Sequence, residues 1–238
     1  MTPPHALLAA VIFAAGCCVQ GAVGFGANLL AAPLLILISA RFVPGPVVVA
    51  SAVLNLLVVR KHPSAMVDPT VRVAIAGQVA GTLVAGAVIA RLPTDALAIL
   101  FAVLVLLAVV LSSIGLRIRD TSADLAAAGA ASGFMGTVSG IGGPPIALAY
   151  LDLNPPELRA TLSRFFLAGN LVAIPTLIVA GKLGADEVVP CLILIPGAVV
   201  GYLGSPYLAR HLDSRTAKPV ILVLSTIAAI AVLIRTLS

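Results

Sequence analysis

The chain has few charged residues and very few aromatic ones. Of its 238 residues only 10% are charged, 4% are aromatic and none is Trp, whereas 61% are hydrophobic. A soluble domain carries about 25% charged residues, so this composition excludes a soluble globular protein and predicts an integral membrane protein. The missing Trp leaves little material for an aromatic belt at the membrane surfaces. The net charge of +5 arises from Lys and Arg in short loops, and it therefore indicates membrane orientation rather than a nucleic-acid partner.

Carboxylates and imidazoles are missing from the interiors of the apolar segments. All nine acidic residues and all three His residues lie in or beside loops or near the chain start. An intramembrane protease, a metalloenzyme or a buried proton relay needs such groups at depth. The sequence therefore predicts no catalytic residue, no bound metal and no cofactor. Cys17, Cys18 and Cys191 lack the spacing of metal ligands and are interpreted as small packing residues.

Eight apolar segments can be distinguished by the charged or Pro-rich stretches between them. They run approximately over residues 6–40, 43–59, 73–90, 96–114, 125–151, 162–180, 188–208 and 220–237. Such lengths suit membrane helices, so we predict an all-α polytopic helical bundle. The small-residue pair Gly77 and Gly81 recurs 120 residues later as Gly197 and Gly201. This echo predicts two transmembrane repeats of four segments each, residues 1–120 and 121–238, whose helices approach closely at the glycines.

Two glycine-rich breaks interrupt the first and fifth segments. The first break reads Gly-Ala-Val-Gly-Phe-Gly-Ala-Asn over residues 21–28, and the second reads Gly-Thr-Val-Ser-Gly-Ile-Gly-Gly-Pro-Pro over residues 136–145. Lipid cannot hydrogen-bond the backbone groups that a break frees, so a break must face protein or a water-filled cavity. Broken segments at matching positions of two halves are typical of a transporter's binding site. Pro144 and Pro145 fit the first turn of a new helix, and Pro33 predicts a kink or the end of the first hairpin's tight region.

The distribution of Lys and Arg distinguishes two topologies. If all eight segments cross the membrane, each face receives seven of these residues. If the first and fifth segments instead enter and return to the same face, one face receives ten and the other four. Cytoplasmic loops carry the excess of positive charge, so the second arrangement is favoured. It predicts inverted repeats, each opening with a re-entrant hairpin, and termini in the periplasm; eight plain crossings with parallel halves are the alternative.

The residues at the breaks form the predicted binding site. A helix N-terminus carries partial positive charge and free N–H donors, which suit an anion. Tight helix packing is the alternative role for the glycines, and interhelical bonding is the alternative for the amides. Arg164 either attracts the anion into the cavity or extends to the cytoplasmic interface. The predicted substrate-binding set is Gln20, Gly24, Phe25, Gly26, Asn28, Thr137, Ser139, Gly140, Gly142, Gly143, Pro144 and Arg164.

Both breaks resemble the signatures of the TauE/SafE family of sulfite and organosulfur anion exporters. The first has Gly24-Phe25-Gly26 followed by Leu29, Leu30 and Pro33, and the second has Ser139-Gly140-Ile141-Gly142-Gly143-Pro144-Pro145. The family's Gly-Thr-Asn-like stretch after the second segment is matched only loosely by residues 51–55, so the resemblance does not support a direct role for Asn55. It implies export of sulfite or a small organosulfur anion from the bacterial inner membrane.

The sequence thus predicts a secondary transporter for a small sulfur-containing anion, such as sulfite or the organosulfonate sulfoacetate. An anion channel of similar architecture and an ion-coupled uptake permease are the alternatives. A membrane enzyme or assembly factor is a rival from another class, and the lack of deep catalytic groups argues against an enzyme. The expected partners are a small anionic substrate and the lipid bilayer, with no nucleic acid. A homodimer is compatible with the sequence, which does not fix the oligomeric state.

Overall fold

A computed structural model describes residues 3–61, 67–114, 118, 121–211 and 214–237. The regular structure of these residues is entirely helical, which confirms the predicted all-α fold. The ten helices are α1 Pro3–Val23, α2 Ala27–Ile38, α3 Gly45–Lys61, α4 Val71–Ile89, α5 Thr94–Ile114, α6 Ser122–Ser139, α7 Gly143–Ala147, α8 Pro155–Val179, α9 Val188–His211 and α10 Ser214–Leu237. Short 3-10 turns at Ala40–Phe42 and Ala185–Glu187 complete the regular structure of the described part.

Six of the described helices are long and apolar enough to cross a membrane, namely α1, α4, α5, α8, α9 and α10. The helix α3 has only 17 residues. The helix α6 has 18 residues, mostly Ala, Gly and Ser, and it is not among the helices apolar enough to cross. These two helices coincide with predicted apolar segments, but neither has the length and composition of a membrane crossing.

Both predicted breaks interrupt helices. The chain leaves α1 after Val23 and enters α2 at Ala27, and it leaves α6 after Ser139 and enters α7 at Gly143. The glycines between them turn the chain, with φ of 107° at Gly24, 104° at Gly26 and 75° at Gly140. Only glycine adopts this left-handed region without a steric penalty. The break sequences therefore contain glycine where the backbone geometry demands it.

The prolines near the breaks have two different roles. Pro144 and Pro145 stand in the first turn of α7, as predicted, where a missing N–H costs no helical hydrogen bond. Pro33 does not end the tight region of the first hairpin, as one of the two expectations had it, because Pro33 lies inside α2 and the helix continues to Ile38.

The helix α2 returns along α1. Ala27 lies against Gly16, and one buried cluster joins Ala9, Phe13 and Cys17 of α1 with Ala27, Ala31 and Leu35 of α2. The first predicted segment is therefore a helical hairpin. Its first arm is longer than the short helix expected, because α1 has 21 residues whereas α2 has 12.

Two pairs of helices pack with their backbones almost in contact. A Cβ atom added to Gly77 or Gly81 of α4 would overlap the backbone of α6 at Ala126 or Ala130. In the other pair, Gly197 and Gly201 of α9 pack directly against the backbone of α1 at Ala10 and Ala14. The close approach predicted at these four glycines is thus confirmed. Residue numbers rise together along both members of each pair, so each pair runs parallel.

Loop residues gather into two groups at opposite ends of the bundle. At one end, the N–H of Asp68 donates to the Thr161 hydroxyl across 3.1 Å, and Lys61 and Arg159 line one surface cavity together with Ala209. At the other end, Arg41, Thr94 and Lys182 line a second surface cavity. Among the basic residues used for the topology prediction, Arg117 and Arg119 lie outside the described residues, as do the side chains of Arg210, Arg215 and Lys218.

Candidate functional site

The two breaks meet inside the bundle. The Nδ2 atom of Asn28, in the first turn of α2, donates a hydrogen bond to the Gly140 carbonyl across 2.8 Å. The Phe25 ring lies against Gly143, so that a Cβ atom on this glycine would be 3.3 Å from the ring. The hydrogen bond joins residues that are 112 positions apart in the chain. Folding therefore brings together the two motifs that the sequence predicts as one site.

A cavity of about 50 Å³ lies between the breaks. One water requires about 10–15 Å³ on this measure, so the cavity has room for roughly three to five atoms of that size. Eight residues of the predicted set line it, namely Gln20, Gly26, Asn28, Thr137, Gly140, Gly142, Gly143 and Pro144. Within the described part of the chain, the lining contains no Asp, Glu, Lys, Arg, His, Cys or Tyr.

The other four predicted residues lie away from the lining. Gly24 packs against Arg159, and Phe25 packs against Gly143. Ser139 is fully buried; its hydroxyl donates to the Met135 carbonyl at 2.7 Å and accepts the Ile141 N–H at 3.2 Å. This side chain stabilises the second break through backbone hydrogen bonds and does not face the cavity. Arg164 is half-buried on α8 and does not line the cavity.

The backbone supplies fewer free donors than the sequence predicts. The N–H of Gly24 donates to the Gln20 carbonyl at 2.6 Å, and that of Gly140 donates to the Gly136 carbonyl at 2.9 Å. Both bonds complete the last turns of α1 and α6, as is common at a glycine that ends a helix. The Ile141 N–H is bound by Ser139, and Pro144 and Pro145 have no N–H at all. The expectation of free donors throughout both breaks is therefore wrong at these positions.

Side chains contribute most of the polar lining. Gln20 Nε2 donates to Asn55 Oδ1 at 3.0 Å, and Asn55 Nδ2 donates to the Ser51 carbonyl at 2.9 Å. Asn28 Nδ2 also donates to the Ser51 hydroxyl at 2.9 Å. Polar residues that line the cavity but are missing from the predicted set are Ser51, Asn55, Gln78, Thr82, Ser132 and Asn170. The neutral groups of this network fix the shape of the cavity.

A signal for two of these missed residues is present in the sequence. Asn55 and Asn170 are each followed by Leu, and 115 residues separate them. Gly21 and Gly136, which begin the two breaks, are separated by the same 115 residues. A search for polar residues that repeat at the offset of the breaks would therefore have found both asparagines. Asn55, which the resemblance did not support, is only 1% exposed and lies in the lining.

Three buried polar atoms on lining residues have no hydrogen-bond partner among the described residues. They are Asn28 Oδ1, Gln78 Oε1 and Asn170 Nδ2. Leaving such a group unpaired in a protein interior costs about 1–3 kcal/mol. Because all three atoms belong to residues that line the same cavity, the lining has unused hydrogen-bonding capacity for a small polar ligand.

The fold and the cavity define a polytopic helical membrane protein with a polar cavity between two helix breaks. The family model described as Sulfite exporter TauE/SafE matches residues 8–232, and the chain belongs to this family of membrane transporters. The resemblance seen at the two breaks is thereby confirmed over nearly the whole chain. No curated protein and no solved structure matches the chain.

Proposed function

We propose that the protein is a secondary transporter that exports a small sulfur-containing anion, either sulfite or an organosulfonate such as sulfoacetate, across the bacterial inner membrane. The observation that carries this proposal is the polar cavity at which the two helix breaks meet. Breaks in matching helices of two halves form the substrate sites of many secondary transporters. Membership of the TauE/SafE family supports the choice of substrate.

The neutral lining supports transport rather than tight storage of an anion. Amide and hydroxyl donors can replace part of an anion's hydration shell without a fixed counter-charge. A transport site must bind strongly enough for entry and weakly enough for release. A lining without Lys or Arg among the described residues suits that balance.

The size of the cavity favours the smaller candidate substrate. Sulfite consists of one sulfur and three oxygens, which matches the roughly three to five water-sized atoms that about 50 Å³ can hold. Sulfoacetate adds a carboxymethyl group, so its binding requires the cavity to widen. We therefore rank sulfite above sulfoacetate as the substrate.

We infer that residues 1–120 and 121–238 form inverted repeats. Support comes from the loop contacts: eight plain crossings would separate Arg41 from Lys182 and Lys61 from Arg159, whereas each pair shares a surface cavity. The parallel pairs give further support. The helix α9 ends, beside Ala209, at the bundle end where α4 begins. Since α1 runs parallel to α9 and α6 runs parallel to α4, α1 and α6 run in opposite directions.

Export of an anion is downhill when the cell interior is negative. One charge moving through 100 mV gains about 2.3 kcal/mol. The membrane potential alone can therefore drive a singly charged anion outward. Export driven in this way needs no buried carboxylate as a proton carrier, in agreement with the uncharged lining among the described residues.

Reconstituted vesicles test the proposed function. Purified protein is inserted into liposomes loaded with sulfite, and a potassium gradient with valinomycin sets the potential. We expect saturable sulfite efflux that accelerates when the sulfite-containing side is made negative. Single-channel currents in a planar bilayer would instead indicate an anion channel, and a requirement for an added Na⁺ or proton gradient would indicate coupled uptake. Efflux equal to that of protein-free liposomes would contradict transport of sulfite.

A further inference from the structure

We propose that the cavity binds the protonated, singly charged form of its anion, so that hydrogen sulfite is the transported species rather than the sulfite dianion. This inference rests on the proposed function and refines its substrate. It is carried by the chemistry of the unpaired atoms and by the lack of positive charge in the lining.

The amide of Asn28 is oriented by its neighbours. Its Nδ2 atom donates both to the Gly140 carbonyl at 2.8 Å and to the Ser51 hydroxyl at 2.9 Å. A carbonyl oxygen can only accept, so the nitrogen of this amide must face Gly140. The Oδ1 atom is thereby fixed as an acceptor, and it is buried on a lining residue without a partner.

A second acceptor stands in the same cavity. The Oε1 atom of Gln78 is also buried and unpaired, and the whole residue is only 5% exposed. Asn170 Nδ2 is an unpaired donor in the same lining. The Asn28 oxygen is an acceptor whichever way the other two amides are turned, and the lining also contains amide and hydroxyl donors, so its complement is a ligand that both accepts and donates hydrogen bonds.

A fully ionised oxyanion presents lone pairs only, and its oxygens would repel the oxygens of Asn28 and Gln78. Hydrogen sulfite in its O–H form has one hydroxyl that can donate to such an oxygen, while its other oxygens accept from Asn170 and the hydroxyls of the lining. A monoanion also suits a lining without a counter-charge. The cost of removing an ion from water is large unless the ion is paired, and in a continuum solvent this cost grows with the square of the charge. Both effects disfavour the dianion.

A pH dependence of binding would report the protonation of the ligand and not that of side chains in the cavity lining. No titratable side chain faces Asn28 or Gln78 in the described lining. The titratable residues of the elements around Asn28 and Gln78, among those whose side chains the structure describes, lie outside the lining; they are His5, Cys17 and Cys18 on α1, Arg41 in the first 3-10 turn, Arg60 and Lys61 on α3, Arg72 on α4, Asp95 on α5, Asp124 on α6, Glu157, Arg159 and Arg164 on α8, and Arg235 on α10.

Calorimetric titration of the purified protein with sulfite over a range of pH tests this inference. Sulfite loses its last proton near neutral pH. If the protonated form binds, the apparent affinity for total sulfite should fall by about tenfold per pH unit above that point. Methanesulfonate is a monoanion of similar size that has no acidic proton in this range. We expect it to bind at least about fivefold more weakly than hydrogen sulfite, the size of one neutral hydrogen bond, and to show no such pH dependence.

The outcomes separate this inference from the proposed function. Sulfite affinity that stays constant or rises with pH would overturn the choice of the protonated form while leaving sulfite transport intact. Methanesulfonate binding as tight as hydrogen sulfite would do the same. No binding of any sulfur oxyanion at any pH, with no efflux from vesicles, would overturn the proposed function itself.

A variant of Gln78 distinguishes a bound hydroxyl from a general effect of pH. Gln78→Met keeps an unbranched side chain of similar length but removes the Oε1 acceptor. We expect the preference for hydrogen sulfite over methanesulfonate to shrink by about fivefold. Ser113→Ala is the matched control, because Ser113 is exposed, lies outside the cavity lining and bonds to the Val109 carbonyl of its own helix; its preference should equal that of the wild type. An unchanged preference in Gln78→Met would contradict the role of this acceptor.

Discussion

Glycines at the two breaks are required for two separate reasons. Gly26 has a φ of 104°, yet a Cβ atom there would have nothing within 4 Å. Gly142 has an ordinary φ of −97°, yet a Cβ atom there would lie 2.6 Å from the Ser132 carbonyl oxygen. Gly26 is thus needed for its backbone conformation and Gly142 for space. The sequence pattern predicts glycine at both positions but does not distinguish these reasons.

Alanine substitutions at these positions separate the two effects. Gly26→Ala should lower thermal stability by about 1–2 kcal/mol, because a left-handed conformation strains any residue with a Cβ atom, while the cavity keeps its shape. Gly142→Ala should displace the α7 side of the cavity and weaken sulfite binding by at least about tenfold, since backbone atoms cannot yield to the added carbon. Thermal unfolding and sulfite titration of both variants measure this. Equal binding defects in the two variants would contradict the distinction.

Ser139 illustrates how a residue beside a site differs from a residue in it. It flanks the second break in the sequence, which predicts a ligand contact, but its hydroxyl stabilises the turn through the Ile141 N–H. Ser139→Ala should therefore lower stability by about 1 kcal/mol and change sulfite affinity by less than about twofold. Thermal unfolding and sulfite titration of this variant check both effects. A loss of affinity without a loss of stability would instead assign Ser139 to the binding surface.

At the scale of helices, the sequence predicts the positions of the breaks and most helix boundaries to within a few residues. Charged and proline-rich stretches mark the helix boundaries, and such stretches are easy to recognise in an otherwise apolar chain. The face that each helix turns toward the cavity could not be predicted. A helix that is apolar all round shows no periodicity that separates an inward face from an outward one. Gln78, Thr82 and Ser132 were missed for this reason, although each is an intramembrane polar residue in the sequence.

The parallel pairs α4 with α6 and α1 with α9 depend on small residues at the contact. Gly81→Leu should reduce the yield of folded protein severely, because the side chain would force apart backbones that touch at Ala130. Gly201→Leu should do the same between α9 and α1. Ala80→Leu is the matched control, since Ala80 is exposed on α4 and should tolerate the larger side chain. Yield and melting temperature in detergent compare the three, and a wild-type melting temperature for Gly81→Leu would refute the packing role.

At the scale of the whole molecule, the inferred inverted repeats make a directional prediction. Asp68 lies at the bundle end that contains Lys61 and Arg159, and Asp95 follows Thr94 at the opposite end. In a background without the three native cysteines, Asp68→Cys should react with a membrane-impermeant maleimide only from the cytoplasm, and Asp95→Cys only from the periplasm. Labelling of intact cells and of inverted vesicles reads out both positions. Asp68→Cys that reacts only in intact cells would reverse the orientation.

Asn170→Leu tests whether the cavity between the breaks binds the transported anion. Asn170 Nδ2 has no partner in the part of the chain that the structure describes, so replacing the amide with an apolar side chain of similar size should leave stability unchanged or raise it. The same change removes a donor to the anion and should weaken sulfite binding by at least about fivefold. Sulfite titration and thermal unfolding of this one variant give both quantities. We expect weaker sulfite binding with undiminished stability, and a sulfite affinity equal to that of the wild type would show that the cavity does not bind the anion.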